Sequence, residues 1–323
     1  MTEPVIVSNW KHGRIAVEVG YKVLVGKGTA IDAVEKAINA VEDDPSVETV
    51  GTGGIPNLYG IAELDASIMV GKTWQGAGVT NLVGIKNPIS VARKILQFSP
   101  HVFMAGEGAL LFAKALGFQP CNTVTDKARE KWSALRKELL KTTMAISSGT
   151  DNEDVLKLDS DMGSLTGGIR ILTDAGLLKA DSTVGVLALD RDGPVAGTST
   201  SGWALRLPGR VSDSSVLGAG TYATPHAASS ATGMGEYAIK HNLTRTVCDY
   251  IQEGFSPQEA CEESIKLMLK REMTLVRIAV IALDANGNVG GATTMDSFVY
   301  CYRRLSDYKL TEVTPTRLGL NDI

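Results

Sequence analysis

The stretch D-S-T-V-G-V-L-A-L-D-R-D-G-P-V-A-G-T-S-T-S-G-W, residues 181–203, decides how the rest of the chain is read. Two apolar runs, Val184 to Leu189 and Val195 to Ala196, flank Asp190-Arg191-Asp192-Gly193. Apolar runs divided by a short polar turn containing glycine read as a β-hairpin. Thr183 stands at the start of the first strand, and Thr198, Ser199, Thr200 and Ser201 end the second, so the hairpin returns these hydroxyls to the neighbourhood of Thr183. Beyond it, R-L-P-G-R-V-S-D-S, residues 206–214, sets Arg210 and Asp213 three positions apart beside a Pro-Gly turn. Such opposite charges suit the carboxylate and ammonium of a free amino acid. On spacing alone the plainer reading carries more weight: Thr and Ser are common in strands and turns, and an Arg-x-x-Asp pair is usually a surface ion pair of small worth.

The 323 residues are 44% hydrophobic and 21% charged, which suffices for a sizeable core and excludes a disordered chain. Length alone suggests about two domains, although a layered unit of this size can be continuous. A formal net charge of −4 leaves no basic footprint for nucleic acid, so small molecules or other chains are the expected partners. Cys121, Cys248, Cys261 and Cys301 are widely spaced without a C-x-x-C pair, which suggests neither a metal site nor a disulfide framework. The start M-T-E-P-V-I-V-S-N-W has no positive n-region, and its apolar run, Val5 to Val7, is short for a signal peptide. No stretch approaches the length that crosses a bilayer, and the expectation is a cytoplasmic protein.

Residues 4–10 read as a strand, 14–25 and 29–42 as helices, 62–71 and 76–85 as strands, and 88–98 and 106–116 as helices. The run T-V-G-T-G-G-I-P-N-L-Y-G, residues 49–60, is too rich in glycine for either element and reads as a loop; no G-K-[ST] follows, so it is not a P-loop. Residues 126–141 form a charge-rich surface helix with a stripe of Trp132, Leu135, Leu139 and Leu140, and 147–154 a polar loop. Past the hairpin, residues 227–241 read as a helix that contains Ala231-Thr232-Gly233-Met234-Gly235, and 244–253 as another. S-P-Q-E at 256–259 is a capping box with proline at the first helical position. Strands follow over 276–283, 289–294 and 298–302. Gly218, Gly220 and Ala223 make a G-x-G-x-x-A string, but only Val216-Leu217 precedes it and Pro225 follows, so the context of a dinucleotide fold is missing. Strands in runs, with helices in runs between them, point to helical layers around antiparallel sheet.

The strings T-V-G, G-T-S-T-S-G-W, L-P-G-R-V-S-D-S and G-A-G-T-Y-A together resemble the start of the β subunit in the N-terminal-nucleophile threonine hydrolases, which include glycosylasparaginase and the plant-type L-asparaginases. The phrase G-V-T-N-L-V-G-I-K-N-P-I-S-V-A-R-K-I-L extends the resemblance through the first 118 residues. The resemblance implies an α+β fold, a four-layered αββα sandwich. It implies an α-subunit part, 1–182, in which 119–182 is an irregular linker, and a β-subunit part, 183–323, within one continuous catalytic domain.

It further implies an amidohydrolase of asparagine side chains. Thr183 is the nucleophile, freed by self-cleavage between Ser182 and Thr183, and its own α-amine is the base. Thr200 orients it, Thr232 and Gly233 supply oxyanion donors, Arg210 and Asp213 hold the substrate's α-carboxylate and α-ammonium, and Trp10 and Thr49 lie by the substrate. Neither a metal nor an organic cofactor is expected, and a homo-oligomer of cleaved αβ units is. His12, His101, His226 and His241 fall outside the matched catalytic positions. The His-Gly-Gly element that the asparaginase branch more often shows near the start is absent here, where Asn9-Trp10 stands; one departure from the family is that Ser182 takes the place of the usual acid, with Asp181 one position earlier. Asn9-Trp10 is similar to the glycosylasparaginase branch, while the lack of a secretory route favours free asparagine. An isoaspartyl (β-aspartyl) peptidase, or an uncleaved homologue that only binds amino acids, is the alternative.

Overall fold

The computed structural model describes residues 2–146, 167–169, 171–172 and 183–323. The hairpin lies in the middle of it. β5 (Val184–Asp190) and β6 (Gly193–Thr200) pair antiparallel with Asp190 opposite Gly193. Gly193 closes the turn at φ +107, a left-handed value that glycine adopts without strain. On the N-terminal side come β1 (Val5–Asn9), β2 (Leu64–Val70), β3 (Gln75–Leu82) and β4 (Phe103–Ala105), and near the C-terminus β11 (Tyr300–Arg304) and β12 (Thr311–Val313). These form one mostly antiparallel sheet in the order β12-β11-β1-β5-β6-β2-β3-β4. A second sheet is built from β7 (Thr221–Ala223), β8 (Ala227–Gly233), β9 (Ile278–Asp284), β10 (Val289–Thr293) and β13 (Thr316–Arg317), in the order β13-β10-β9-β8-β7.

Three apolar clusters account for the layering. Helices α1 (Gly13–Val25), α2 (Ala30–Glu42) and α3 (Pro88–Phe98) bury Val17, Val34, Ile38 and Ile95 against Ile6, Ile68, Val79 and Val186 of the first sheet. The opposite face of that sheet, with Val5, Val7, Leu187 and Leu189, packs on Ala228, Ala279, Ile281 and Leu283 of the second. After α4 (Gly106–Ala115) and α5 (Asp126–Ile146) come α6 (Gly235–His241), α7 (Leu243–Gln252) and α8 (Pro257–Glu272); Val247, Ile265 and Met268 of the last two cover the outer face of the second sheet at Ala231, Val280 and Ala282. Strands β5, β8 and β9 are therefore buried on both faces, and their sequences lack the apolar-polar alternation of a half-exposed strand. Among the described residues no helix is long and apolar enough to cross a membrane.

Most elements lie where the sequence puts them, including the capping box at Ser256 and Glu259 with Pro257 at the helix start. One assignment is corrected. Residues 227–241 are not a single helix: Ala227–Gly233 is strand β8, and only Gly235–His241 is helical. The run A-A-S-S-A-T-G looks helical because alanine favours helices. Tertiary pairing overrides this, since β8 matches β9 residue for residue, Ala227 opposite Asp284 through Gly233 opposite Ile278. Its small side chains fit the narrow gap that the first sheet leaves there. The short strands β4, β7, β12 and β13 carry too few residues for a pattern to announce them.

The segment after β6 is fixed by one buried cation. Arg206 is 3% exposed, pairs with Asp65 of β2 through Nη1, and donates from Nη2 to the Glu63 carbonyl at 2.6 Å. Its own carbonyl accepts from Leu58 N at 3.0 Å, and Gly209 N donates to Glu63 Oε1 at 3.1 Å, so the loops 55–63 and 201–210 are tied together. Helix α5 closes over them, with Trp132 Nε1 donating to Asn57 O at 2.8 Å and Leu139 packed on Leu58 and Leu205. A second buried acid, Glu42 at the end of α2, accepts from Ser199 Oγ at 2.7 Å and Ile89 N at 3.1 Å; burial pushes its carboxyl up to about 8 against these donors.

Removing one partner of a buried ion pair leaves the other charge uncompensated. Arg206→Met is expected to cost about 3–5 kcal/mol in urea denaturation, and adding Asp65→Asn should restore a large part of it. A double mutant no more stable than the single one would assign the loss to packing instead of charge.

Candidate active site

Alternation along the strands brings the hydroxyls together. Thr183 immediately precedes β5, and alternation continued to it puts it on the face of Gly185. A Cβ on Gly185 would lie 2.0 Å from Ser230 Oγ, so this face looks across at β8, where Ser230 and Thr232 share a face. In the β5–β6 register Gly185 is opposite Thr198 and Val184 opposite Ser199, and the same register continued by one residue sets Thr183, just before β5, toward Thr200. Thr198 Oγ1 is 3.1 Å from Ser230 Oγ, which links the same faces of β6 and β8. Thr183, Thr200 and Thr232 therefore converge between the two sheets, at 6%, 5% and 1% exposure.

The remaining expected residues border this space. Trp10, at φ +60 just past β1, donates from Nε1 to Thr232 Oγ1 at 3.0 Å and stands edge-on to Phe298. Thr49 meets the end of β6 through its carbonyl, which accepts from Ser201 N at 2.9 Å and from Thr200 Oγ1 at 3.4 Å. Gly233 ends β8 at φ +121, where a Cβ would strike the Arg277 carbonyl at 2.4 Å; no other residue fits. Two residues on, a Cβ at Gly235 would lie 2.4 Å from Asp213 Oδ1 and 3.0 Å from Arg210 Nη2, so this glycine lets both charged side chains reach the end of β8. Ser182 lies outside the described residues, as does the polar loop 147–154.

Arg210 and Asp213 are close, but the direct partner of Arg210 is an acid that the sequence reading did not single out. Glu236 Oε1 accepts from Arg210 Nε at 2.9 Å, and the guanidinium lies over the Trp203 ring, 5.1 Å from its centroid. An acid in the first turn of a helix after T-G-M-G was the available signal, obscured by reading β8 as helix. Asp213 is buried beneath the pair. Burial pushes its carboxyl up to about 7, Arg210 opposes that, and Glu236 adds to it. Burial pushes the His12 ring down to about 4, and the histidines match no catalytic position. Asn9 Nδ2, His12 Nε2, Ser201 Oγ, Ser212 Oγ and Asp213 Oδ2 are buried here without a hydrogen-bond partner. Unpaired buried polar atoms are uncommon in native proteins, and a cluster of them marks room for a polar ligand.

Among the described residues no group of three or more His, Cys, Asp or Glu is placed to hold a metal ion. The G-x-G-x-x-A string runs into strand β7 and does not itself open a helix, as a dinucleotide fingerprint would.

The site thus sets buried threonine hydroxyls beside one arginine and two acids. Sequence comparison gives the family. Residues 6–312 match the Asparaginase family, and the chain belongs to it. It is 39% identical to a plant-type L-asparaginase of Pyrococcus furiosus, over 90% of this chain and 88% of that one. It is 34% identical to an N(4)-(β-N-acetylglucosaminyl)-L-asparaginase of Elizabethkingia miricola, over 92% and 80%, and 35% identical to a human isoaspartyl peptidase/L-asparaginase, over 83% and 78%. The protein is an enzyme, an amidohydrolase of this family.

The raised Asp213 carboxyl carries a sign for stability. Its folded value, about 7, exceeds the 3.8 of an ordinary aspartate, so its contribution is fully present below pH 3.8 and is lost as pH rises through 7. Relative to wild type, Asp213→Asn should gain on the order of 1–3 kcal/mol between pH 5 and pH 8.5 in urea denaturation. The same variant should show a higher KM for an α-amino-acid amide. A stability difference that does not change with pH would remove Asp213 as the titrating group.

Proposed function

We propose that the protein hydrolyses the side-chain amide of an asparagine unit with Thr183 as an N-terminal nucleophile, released by self-cleavage between Ser182 and Thr183. The observation that carries this reading is the convergence of Thr183, Thr200 and Thr232 at the end of β8, beside Arg210 and Asp213. In self-cleavage, Thr183 Oγ attacks the Ser182 carbonyl, the C–N bond breaks, and the nitrogen leaves as the α-amine of Thr183. Water then hydrolyses the Ser182 ester and frees the hydroxyl. In the mature enzyme the α-amine takes the Oγ proton as the hydroxyl attacks the substrate's amide carbon. Thr232 and the Gly233 amide stabilise the oxyanion, Thr200 orients the nucleophile, the amine leaving group takes a proton, and water hydrolyses the β-aspartyl ester to aspartate.

Arg210 presents its guanidinium to the α-carboxylate, with Trp203 beneath and Glu236 steadying one edge. Asp213 receives the α-ammonium, which favours its ionised form. Trp10 and Thr49 border the substrate. No cofactor enters any step.

The four-layered αββα arrangement belongs to the same proposal and is supported by the three apolar clusters stacked between helices and sheets. So does a single catalytic unit made from residues 1–182 and 183–323, whose strands neighbour one another in the eight-stranded sheet. Exposed Phe98, Val102, Phe103 and Leu111, around edge strand β4 and helix α4, support a homo-oligomer of such units. L-Asparagine and N4-substituted asparagines are the proposed substrates.

Two measurements test this reading. Purified protein should resolve on a denaturing gel into residues 1–182 and 183–323, and Thr183→Ala should stay in one piece and be inactive. Wild-type protein that remains full length after prolonged incubation would exclude self-cleavage at this bond. Assayed against L-asparagine, β-aspartyl dipeptides and glycosylated asparagine, the cleaved enzyme should release aspartate from at least one; release from none would refute the proposed activity.

A further inference from the structure

Trp203 follows the last residue of β6, Thr200, by three positions and opens the loop that Arg206 anchors. Its backbone is fixed. Arg206 N donates to the Trp203 carbonyl at 3.2 Å, and Leu205 N donates to the Pro56 carbonyl at 3.0 Å. The neighbouring side chains go inward: Ala204 and Leu205 are buried with Leu58 and Leu139, and Leu207 packs against them. The Trp203 ring does not follow. It is half-buried, among the described residues it joins none of the apolar clusters, and the group that lies over its face is the Arg210 guanidinium. An indole gains more than most side chains from burial in a core. A ring fixed at its base and held out of the core is therefore placed for its contact with Arg210.

That cation is only partly satisfied by its acid. Glu236 Oε1 accepts from Arg210 Nε at 2.9 Å. The same oxygen is 2.9 Å from Nη2 but out of line with it, and Nη2 is buried without a hydrogen-bond partner. This unused donor lies at the end of β8, where a Cβ on Gly235 would come within 3.0 Å of it. A bidentate bond to a carboxylate requires the guanidinium to lie in the plane of its ligand. One bond to Glu236 leaves the group able to tilt, whereas an aromatic face that attracts the cation fixes its plane. We propose that Trp203 is a positioning residue for substrate recognition: its ring backs the Arg210 guanidinium and turns the unpaired Nη2 toward the α-carboxylate of the ligand. The proposal rests on the reading of Arg210 as the partner of that carboxylate. Its signature is selective, because the ring contributes only to ligands that carry the group.

Two substitutions and two inhibitors test it on the cleaved enzyme. Trp203→Phe keeps an aromatic face, whereas Trp203→Leu keeps apolar volume and loses the face. L-Aspartate carries the α-carboxylate, and β-alanine is the same molecule without it. With L-asparagine, or whichever panel amide is turned over, Trp203→Leu should raise KM about fivefold or more while kcat stays within about threefold of wild type. The inhibition constant of L-aspartate should rise in parallel, and that of β-alanine should change by less than about twofold. Trp203→Phe should stay within about threefold of wild type on every constant. Three results would overturn the proposal: Trp203→Leu with unchanged KM, Trp203→Leu weakening both inhibitors by the same factor, or Trp203→Phe as impaired as Trp203→Leu. If Trp203→Leu does not fold, a crystal structure of the wild-type enzyme with L-aspartate decides. The ring should lie against the guanidinium while Nη2 meets the α-carboxylate, and a ring turned away refutes the role. Wild-type enzyme that binds β-alanine as tightly as L-aspartate removes the reading of Arg210 itself, and the proposal with it. Strong discrimination by the wild type beside an unaffected Trp203→Leu removes only the part given to Trp203.

Discussion

The buried pair of Arg206 and Asp65 is the constraint on which the site depends. Arg206 sits in a loop, and a loop of this length would otherwise be mobile on the scale that matters for binding. Taking a guanidinium and a carboxylate out of water is costly, and the cost is offset here by several polar partners, although Arg206 Nε is left without a hydrogen bond. Asp65 also accepts from Thr80 Oγ1 at 2.9 Å and Asn81 N at 2.7 Å, and Arg206 reaches the Glu63 carbonyl. Because Asp65 lies directly opposite Thr200 in the sheet, the anchor transmits the position of the central hairpin to Arg210, four residues farther on. The proposed catalytic and recognition halves of the site thus share one reference point.

The proposed recognition half would suit an occupant that brings its own charges. Two acids, Asp213 and Glu236, face one arginine, and the buried acid is the one left partly protonated at neutral pH. A ligand with a carboxylate and an ammonium supplies one charge of each sign, so Arg210 gains a second anion and Asp213 a cation without changing the net charge. A ligand with only one of these groups leaves a buried charge unmatched, which discriminates by an energy well beyond that of a lost surface contact.

Much of this was legible in the sequence, and the failures have physical causes. The central hairpin was readable because its turn chemistry and hydroxyl run are local. α8 was readable because Ser256, Pro257 and Glu259 write its start explicitly. β8 was not, because a strand made of Ala, Ser, Thr and Gly is specified by what surrounds it. That error concealed Glu236, which seemed to lie deep in a helix when it sits on the first turn after a strand. Asn9 was hidden for another reason: its partner, Gly185, is more than 170 residues away, and neither the register of β1 nor the point where it leaves β5 is encoded locally.

The order of the eight-stranded sheet has a mechanical consequence. Reading across it, β12 and β11 come from the part after Thr183, β1 from the part before, β5 and β6 again from the part after, and β2, β3 and β4 from the part before. β1 and the β5–β6 pair are each flanked on both sides by strands of the other part, so a chain cut ahead of β5 would yield two polypeptides that cannot dissociate without dismantling the sheet. Separation and unfolding become one event, and dilution alone would not drive it. The two polypeptides, once denatured and parted, would have to find this alternating order from both sides at once. A molecule of this kind is assembled as one chain and can be broken down as two, but it is poorly suited to being rebuilt from its pieces.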